Sequence, residues 1–585
     1  MGNSSSQGTT HGLTTEKCWK ARQTIQASRE KILVALREEC DKCSDNIDLD
    51  EESHQHYGDS DGSNIDSTQY RFPFENLVLE GGGVKGLVYC GLGRALEEHG
   101  ILKQMHRFAG TSIGSICAAL YAVGFNSHDV EQIMSVNLET LVSDASYGYF
   151  SLIPNLLSHY GWHPGSRFLN YLGEVLSVKT NNPDITFSEV YKKFGNELCV
   201  VITNVNTMSE EYCHVKTTPD MPIRMAVRMS MSIPGVFQSV QEKLFGETNY
   251  YVDGGVICNY PIHCFDGWWL SLDHSDSFLQ KIQPISKIES IMDRKNRFQV
   301  VPGPMKTIGS LIVSCTRTYQ NNWESNWPMK TIGSLIFSTN EAEVYKAEIL
   351  KKSGVPMGKL PNTKLARQWI KTEQGKGKIN KAYTEVCEAV TAFIEVLRKH
   401  NLDGNDVISK AEFENAFSEA DFGDHYSKLL FGEGCSPHLA FDALDRDESG
   451  SITYNELINF IEGTGVSIHE KYLGLKRTEV NGFLSFLGTV FNALAINVMR
   501  IFIRSSDIDR SIGINSWYIK TNDFGLEEGD KKFLVDQGRR STIKYLQHFV
   551  FDNNPEKVSK AVISARDVPR KPSLTDAQIA RISKI

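Results

Sequence analysis

An apolar, strand-like run, Asn76-Leu77-Val78-Leu79, opens directly into Glu80-Gly81-Gly82-Gly83-Val84-Lys85-Gly86, and further on the chain reads Gly110-Thr111-Ser112-Ile113-Gly114. Glycines without a Cβ let the backbone take strained dihedrals and approach a ligand closely. The second segment has the form G-x-S-x-G, in which small residues flank a serine on a sharp strand-to-helix turn. Together the two segments supply what ester chemistry needs, an exposed nucleophile and free backbone N–H groups for an oxyanion. A G-x-S-x-G alone recurs by chance and in tight turns. Its pairing with an upstream triple-glycine loop, with a helical run between them, is much more specific.

A base is still required, and the chain offers Asp253 in Tyr251-Val252-Asp253-Gly254-Gly255, at the end of a β-type run and before two glycines. Here the sequence resembles the patatin-like phospholipase family, which uses a Ser–Asp dyad. The residues that carry the resemblance are the GGGVKG loop, GTSIG, the segment Ala226-Val227-Arg228-Met229-Ser230-Met231-Ser232-Ile233-Pro234, and the DGG turn, in the family's order over roughly residues 73–265. The resemblance implies Ser112 as nucleophile and Asp253 as base. It implies an oxyanion hole in the loop Gly81, Gly82, Gly83, Lys85 and Gly86, centred on the amides around Gly82 and Gly83, and a nucleophile elbow framed by Gly110 and Gly114. Lys85 stands where the family more often has Arg, which keeps the positive charge but not the planar fork.

The chemistry suits those roles. Ser112 is expected to open a helix beginning near Ile113, where aligned peptide dipoles favour negative charge. A carboxylate is a poor base at neutral pH unless an enclosed site raises its pKa; the sequence shows only apolar neighbours, Val252 and Val256. G-x-S-x-G also marks hydrolases with a Ser–acid–His order. The histidines after Asp253 are His263, His274, His400, His425, His438, His469 and His548, and none lies in a distinctive motif. The dyad is the better reading.

A second signal is Asp445-Arg446-Asp447-Glu448-Ser449-Gly450-Ser451-Ile452-Thr453-Tyr454-Asn455-Glu456. Oxygen donors fall at Asp445, Asp447, Ser449, Ser451 (backbone), Thr453 and Glu456, with Gly450 at the sharp turn, and the segment resembles an EF-hand calcium loop. Upstream, Asn401, Asp403, Asn405, Val407 (backbone), Ser409 and Glu412 repeat the donor pattern, with Asn at the first position and Asp406 where Gly is expected. Weaker binding is expected there. The stretch Asp59-Ser60-Asp61-Gly62-Ser63 starts like such a loop but has no Glu at the twelfth position, and reads as linker.

The start, Met1-Gly2-Asn3-Ser4-Ser5-Ser6, fits N-myristoylation at Gly2. One such chain anchors only marginally; Cys18 or the basic run from Lys17 to Arg37 are candidates for a second signal, and an ordinary solvated helix is the alternative. A formal net charge of -9 argues against nucleic acid as partner. The 12 cysteines are scattered, and with no secretory leader in view they suit a reducing, cytosolic setting. Phe483–Met499 is uncharged but at the short limit for spanning a bilayer, so a buried or surface helix is expected. Pro304–Ile312 recurs as Pro328–Ile336, a nine-residue copy at a spacing of 24, read as a local duplication of unknown purpose.

The expected fold is α/β: a patatin-like three-layer domain with a mostly parallel sheet, and an all-α EF-hand pair inserted in it. The boundaries are 1–70 for an N-terminal region with a helix, 71–382 for the first catalytic part, 383–465 for the EF-hand pair, 466–552 for the closing part, and 553–585 for a polar tail. Thr521-Asn522-Asp523-Phe524 resembles the closing part of some patatin-like domains. The expected function is a calcium-responsive serine acyl hydrolase acting on glycerophospholipids. Its expected partners are a phospholipid surface and regulatory Ca2+, with no cofactor in catalysis. It is expected to be cytoplasmic and peripherally membrane-associated. A neutral-lipid lipase or transacylase is the alternative within enzymes, and a calcium-switched membrane adaptor the alternative outside them.

Overall fold

The computed structural model describes residues 65–281, 330–337, 346–400, 407–463 and 505–558, apart from 137–139, 142, 147, 245–246 and 420–421, together with Leu574, Thr575 and Gln578. Gly2, the linker at 59–63, the first copy of the duplication and the apolar stretch 483–499 lie outside the described residues. Among the described residues, no helix is long and apolar enough to cross a membrane.

The described chain divides into two compact units, one holding the described residues through Ala366 and those from Ser505 on, the other those from Arg367 to Gly463. The larger unit is built on an eight-stranded sheet in the order β12-β9-β1-β2-β4-β8-β7, with β5 also paired to β4. Its strands are β1 (Asn76–Leu79), β2 (Arg107–Thr111), β4 (Glu197–Asn204), β5 (Ser209–Cys213), β7 (Val240–Leu244), β8 (Glu247–Asp253), β9 (Thr331–Phe337) and β12 (Ser511–Asn515). From β12 to β4 every pairing is parallel. β5 and β8 join β4 antiparallel, and β7 joins β8 antiparallel. The sheet is thus mixed, its parallel half carrying the glycine loop and Ser112 and its antiparallel half ending in Asp253.

The central strands read as continuous apolar runs because both their faces are covered: all of β1 and β4 is buried. Helices on the catalytic unit are α1 (Val88–Glu98), α2 (Ile113–Ala122), α3 (Ser127–Met134), α4 (Leu152–His159), α5 (Ser166–Thr180), α6 (Phe187–Phe194), α7 (Ile223–Ser230) and α8 (Lys346–Ser353). α2 is buried along its whole length, as a helix of small and apolar residues must be when it has no polar face. α6 starts where Thr186 and Glu189 form a reciprocal capping box. A short β3 (Gly161–His163) pairs in parallel with β6 (Gly235–Phe237) apart from the main sheet.

The second copy of the duplication forms β9, between β1 and β12. Gly333 is required there, since a Cβ on it would fall 2.0 Å from the Tyr260 hydroxyl.

The smaller unit comprises α9 (Lys364–His400) from Arg367 on, β10 (Val407–Ser409), α10 (Lys410–Phe417), α11 (Gly423–Phe431), α12 (Pro437–Leu444), β11 (Ser451–Thr453) and α13 (Tyr454–Gly463). It has its own core, in which Phe393, Phe413, Phe422, Phe431 and Phe441 are buried. β10 and β11 pair antiparallel with Ile408 opposite Ile452. In the catalytic unit the chain closes with α14 (Glu528–Asn553), which packs against α1, α8 and β12.

Candidate active site

β2 ends at Thr111 and α2 begins at Ile113, so Ser112 is the single residue that turns strand into helix, at φ 52° and ψ -126°. A side-chain-bearing residue at positive φ is uncommon, and such a conformation costs on the order of 1–3 kcal/mol unless its surroundings impose it. They do so on both sides. The Ser112 N–H donates to Ser230 Oγ at 2.8 Å, and the Ser112 carbonyl accepts from Ser115 N at 2.9 Å and Ser115 Oγ at 2.6 Å. The flanking glycines allow the close crossing: a Cβ on Gly110 would lie 2.3 Å from the Gly114 carbonyl, and one on Gly114 would lie 2.4 Å from the Leu79 carbonyl.

Ser112 Oγ donates to Asp253 Oδ2 at 2.7 Å. Asp253 ends β8, and its Oδ1 accepts the Gly255 N–H at 2.7 Å, which turns the chain into the two glycines. Both side chains are buried. Burial pushes the Asp253 carboxyl up to about 7, against the opposing pull of the bonds from Ser112 and Gly255. No histidine among the described residues bonds to either member of the pair; His263, the nearest in sequence after Asp253, meets the Tyr212 hydroxyl at 2.9 Å instead.

The glycine loop follows β1 at the same end of the sheet. Gly81 N donates to Asn259 O at 3.1 Å, Val84 N to Thr521 O at 3.2 Å, and Lys85 N to Gly82 O at 3.2 Å. Those N–H groups are taken, whereas the amides of Gly82 and Gly83 have no partner among the described residues. Gly83 has φ 55°, and a Cβ on it would sit 2.3 Å from the Thr521 carbonyl. The Lys85 side chain is buried, and Gly86 packs against Ile113 at the start of α2. Of the five loop residues singled out from sequence, Gly82 and Gly83 are thus two whose amides have no partner among the described residues. The contact of Val84 with Thr521 brings the 521–524 segment to this loop.

Four further residues support the site. Glu80 is buried and divides its carboxylate between Asn259 Nδ2 at 3.0 Å and the Ile336 N–H of β9 at 2.8 Å. Ser230, at the end of α7, takes the Ser112 N–H and donates its own proton to Val201 O at 2.6 Å. Two residues on, the Ser232 carbonyl accepts the Asp253 N–H at 2.9 Å. Arg228 braces this turn, donating to Ser232 Oγ, to Pro164 O at 2.6 Å and to Gln238 O at 3.0 Å; burial pulls its guanidinium down to about 10. One turn of chain thus fixes the backbone of both Ser112 and Asp253. Ser230 and Ser232 lie in the Ala226–Pro234 segment recognisable from sequence, but Asn259 follows the DGG turn with no local signal of its own.

The family model for patatin-like phospholipases matches residues 77–266, a span that contains the glycine loop, Ser112, Ser230 and Asp253. The chain carries a patatin-like phospholipase domain. A probable lipid hydrolase of Invertebrate iridescent virus 6 is 26% identical over 196 residues, 32% of this chain and 62% of that protein. An uncharacterized protein of Acanthamoeba polyphaga mimivirus is 31% identical over 194 residues, 33% of this chain and 61% of that protein. One of Bacillus subtilis is 33% identical over 196 residues, 32% of this chain and 65% of that protein. The chain spans 61 to 65% of the length of these relatives. Among solved structures, VipD of Legionella pneumophila overlays with 15% identity at a TM-score of 0.33, covering 82% of this chain and 67% of that one, a likeness that carries no argument. The patatin-like domain accounts for the Ser–Asp pair, and the strands β9 and β12 that complete its sheet lie beyond the matched residues.

In the smaller unit, Asp445, Asp447 and Glu456 bring one carboxylate oxygen each to within 4.8 Å of one another. Asp445 accepts from Ser449 N at 3.0 Å and Gly450 N at 2.9 Å, and Glu456 accepts from Thr453 N at 2.9 Å and Thr453 Oγ1 at 2.8 Å. These bonds curl the loop around one point. Ser449 and Ser451 lie beside each other on it, Oγ to carbonyl at 2.9 Å. A convergent set of hard oxygen donors, with three carboxylates, suits a calcium ion. In the upstream loop, Glu412 accepts from Ser409 N at 2.8 Å and Ser409 Oγ at 2.7 Å, repeating the Thr453–Glu456 arrangement, with Val407 in the strand beside them. Asn401, Asp403 and Asn405 lie outside the described residues.

Proposed function

We propose that this protein is a serine acyl hydrolase of the phospholipase A or lysophospholipase type, releasing fatty acids from glycerophospholipids. The observation that carries the reading is the 2.7 Å bond from Ser112 Oγ to a buried Asp253 whose carboxyl is raised to about 7. Asp253 takes the Ser112 proton as Oγ attacks the ester carbonyl, and the amides of Gly82 and Gly83 receive the negative charge on the carbonyl oxygen. Asp253 then gives that proton to the departing alcohol. Water, deprotonated by the same carboxylate, releases the fatty acid and restores Ser112. The positive end of α2 lies behind the nucleophile and favours the same charge.

Calcium is a regulator in this reading. Asp445, Asp447, Ser449, the Ser451 carbonyl, Thr453 and Glu456 would hold it, the upstream loop acting as structural partner or weaker site, and calcium takes no part in bond cleavage. The protein works at the cytoplasmic face of a phospholipid membrane, with myristate at Gly2 as an added anchor. Fatty-acid release from mixed phospholipid vesicles tests the reading, with and without calcium, for wild type and Ser112→Ala. Release that disappears in the variant and depends on calcium is the expected result. Release that persists in Ser112→Ala refutes the dyad, and release indifferent to chelation refutes the regulatory role.

A further inference from the structure

The catalytic unit exposes a row of large apolar side chains on and around α4. Phe150 in the turn of Gly148–Ser151 that leads into the helix, Ile153 and Leu157 on the helix, and Tyr160 just after it are 92, 67, 78 and 56% exposed. Ile153 and Leu157, four residues apart, share one face of α4, with Phe150 and Tyr160 at its two ends. Soluble surfaces rarely leave such a row bare without a use for it. From residue 145 to residue 166 the sequence contains no Asp, Glu, Lys or Arg.

The row continues at one edge of the sheet. The Tyr160 ring packs edge-on against Tyr250, with centroids 5.4 Å apart. Tyr250 in turn bonds through its carbonyl to Val205 N at 2.9 Å and through its N–H to Asn206 Oδ1 at 2.8 Å. Val205 and Met208, in the turn between β4 and β5, are themselves exposed. Thr111 at the end of β2 is level with Val201 of β4, and β4 runs on to Asn204. At about 3.3 Å per residue this turn stands roughly 10 Å beyond the level from which Ser112 emerges. The α4 end is tied to the same region by backbone bonds: Ser239 N donates to His159 O at 3.2 Å and Gln238 N to His163 O at 2.8 Å, just after the Ser230–Ser232 turn that holds both dyad residues.

We propose that Phe150, Ile153, Leu157 and Tyr160, with Val205 and Met208, form the face that inserts into the surface of a zwitterionic phospholipid bilayer and sets the dyad's edge of the sheet against it. The proposal rests on the hydrolase reading of that site and names how the site reaches its substrate. Aliphatic and aromatic side chains together suit the boundary between headgroups and acyl chains. A segment with no ionic side chain offers nothing to an acidic or basic protein partner. Attraction to anionic headgroups is equally unavailable to it, so binding through this face depends on apolar burial and not on charge.

The test uses full-length protein and phosphatidylcholine vesicles, with bound protein measured by sedimentation. Wild type should bind, and the binding should hold between about 0.1 and 1 M salt, over which the screening length falls from ~10 to ~3 Å. Each large side chain removed should weaken partition by about tenfold, since burying one is worth ~1.5 kcal/mol or more. The triple variant Phe150→Ser, Ile153→Ser, Leu157→Ser should therefore lose vesicle binding while hydrolysing a soluble, short-chain ester at the wild-type rate. A wild type that does not bind, or a triple variant that binds like wild type, overturns the proposal. So does a lipid-free wild type that is dimeric where the triple variant is monomeric, because the face would then be covered by a second copy. If the soluble ester is hydrolysed by neither protein, the hydrolase reading fails by itself, and the vesicle measurement still decides the surface.

Discussion

Replacing Asp253 by Asn should destroy activity and at the same time stabilise the catalytic unit, by an amount that depends on pH in a set direction. Burial moves the carboxyl from 3.8 to about 7 in the folded chain, a raised value. Between these two limits the folded protein keeps a proton that the unfolded chain has lost. Stability is therefore fully present below pH ~4, falls as pH rises towards 7, and levels off above it. The shift is about 3 units at 1.36 kcal/mol each, so ionising Asp253 costs about 4 kcal/mol by pH 8. Asparagine has the same shape, can accept from Gly255 N and meet Ser112 Oγ, and has no proton to lose. The assay is urea unfolding of the two proteins at a series of pH values, following intrinsic tryptophan fluorescence. Subtracting one curve from the other cancels every other titrating group that the substitution leaves alone. The advantage of Asp253→Asn should grow from near zero at pH 4 to about 4 kcal/mol at pH 8. An advantage that is flat across this range, or that grows towards acid, would refute the claim that the carboxyl is held protonated by its surroundings. The same group predicts that kcat/KM of wild type rises with pH through about 7.

Ser230→Ala leaves the buried Ser112 N–H without its acceptor, an error of about 1–3 kcal/mol, so kcat on a soluble ester should fall roughly 10- to 100-fold with KM little changed, and Ser230→Thr should restore most of it. A change confined to KM would contradict the positioning role. Glu456→Gln should move calcium affinity, measured by titration calorimetry, from the sensor range of ~10⁻⁷–10⁻⁵ M to weaker than ~10⁻⁴ M; unchanged affinity would remove that loop as the site. Gly333→Val should lower the melting temperature, because the added carbons collide with the Tyr260 hydroxyl and overpacking of this kind costs about 1–3 kcal/mol. An unchanged melting temperature would argue against β9 lying against Tyr260 in this way.

The parts of the site that are legible in sequence are those whose chemistry is written into a few adjacent residues. The triple glycine, G-x-S-x-G and the aspartate before two glycines each specify a local backbone path, and each stands at a strand end in the structure. The support of Ser112 is not local. Ser230 lies within a recognisable segment, but that its hydroxyl meets the amide of Ser112, 118 residues away in sequence, follows only from the packing of α7 against β4. The environment that raises Asp253 is equally a product of folding, since Val252 and Val256 alone do not enclose it. Alternation of strands and helices suggests a mostly parallel sheet, and its antiparallel part comes from the β4–β5 and β7–β8 hairpins and the long-range pairing of β8 with β4, whose directions the apolar pattern does not encode. The duplicated nine residues look purposeless in one dimension. Their Thr, Ile, Leu and Ile at alternating and adjacent positions suit a strand buried on both faces, and their slot between β1 and β12 is set by pairings across 255 residues.

The place of β9 and β12 in the sheet also sets the order in which the protein can be finished. A ribosome delivers the glycine loop, Ser112 and Asp253 early, yet the outer edge of β1 stays unpaired until residue 337 has been made, and that of β9 until residue 515. In between comes the entire helical unit, which has a core of its own. For that interval the half-built sheet presents a bare, apolar, parallel edge, the form of surface that invites pairing with other chains. A fragment trimmed to residues 77–266, the span matched by the family model, would keep that edge for good. It would also lack the Ile336 amide that steadies Glu80 beneath the glycine loop. The smallest piece of this chain that completes the sheet is thus much longer than the piece matched by the family model.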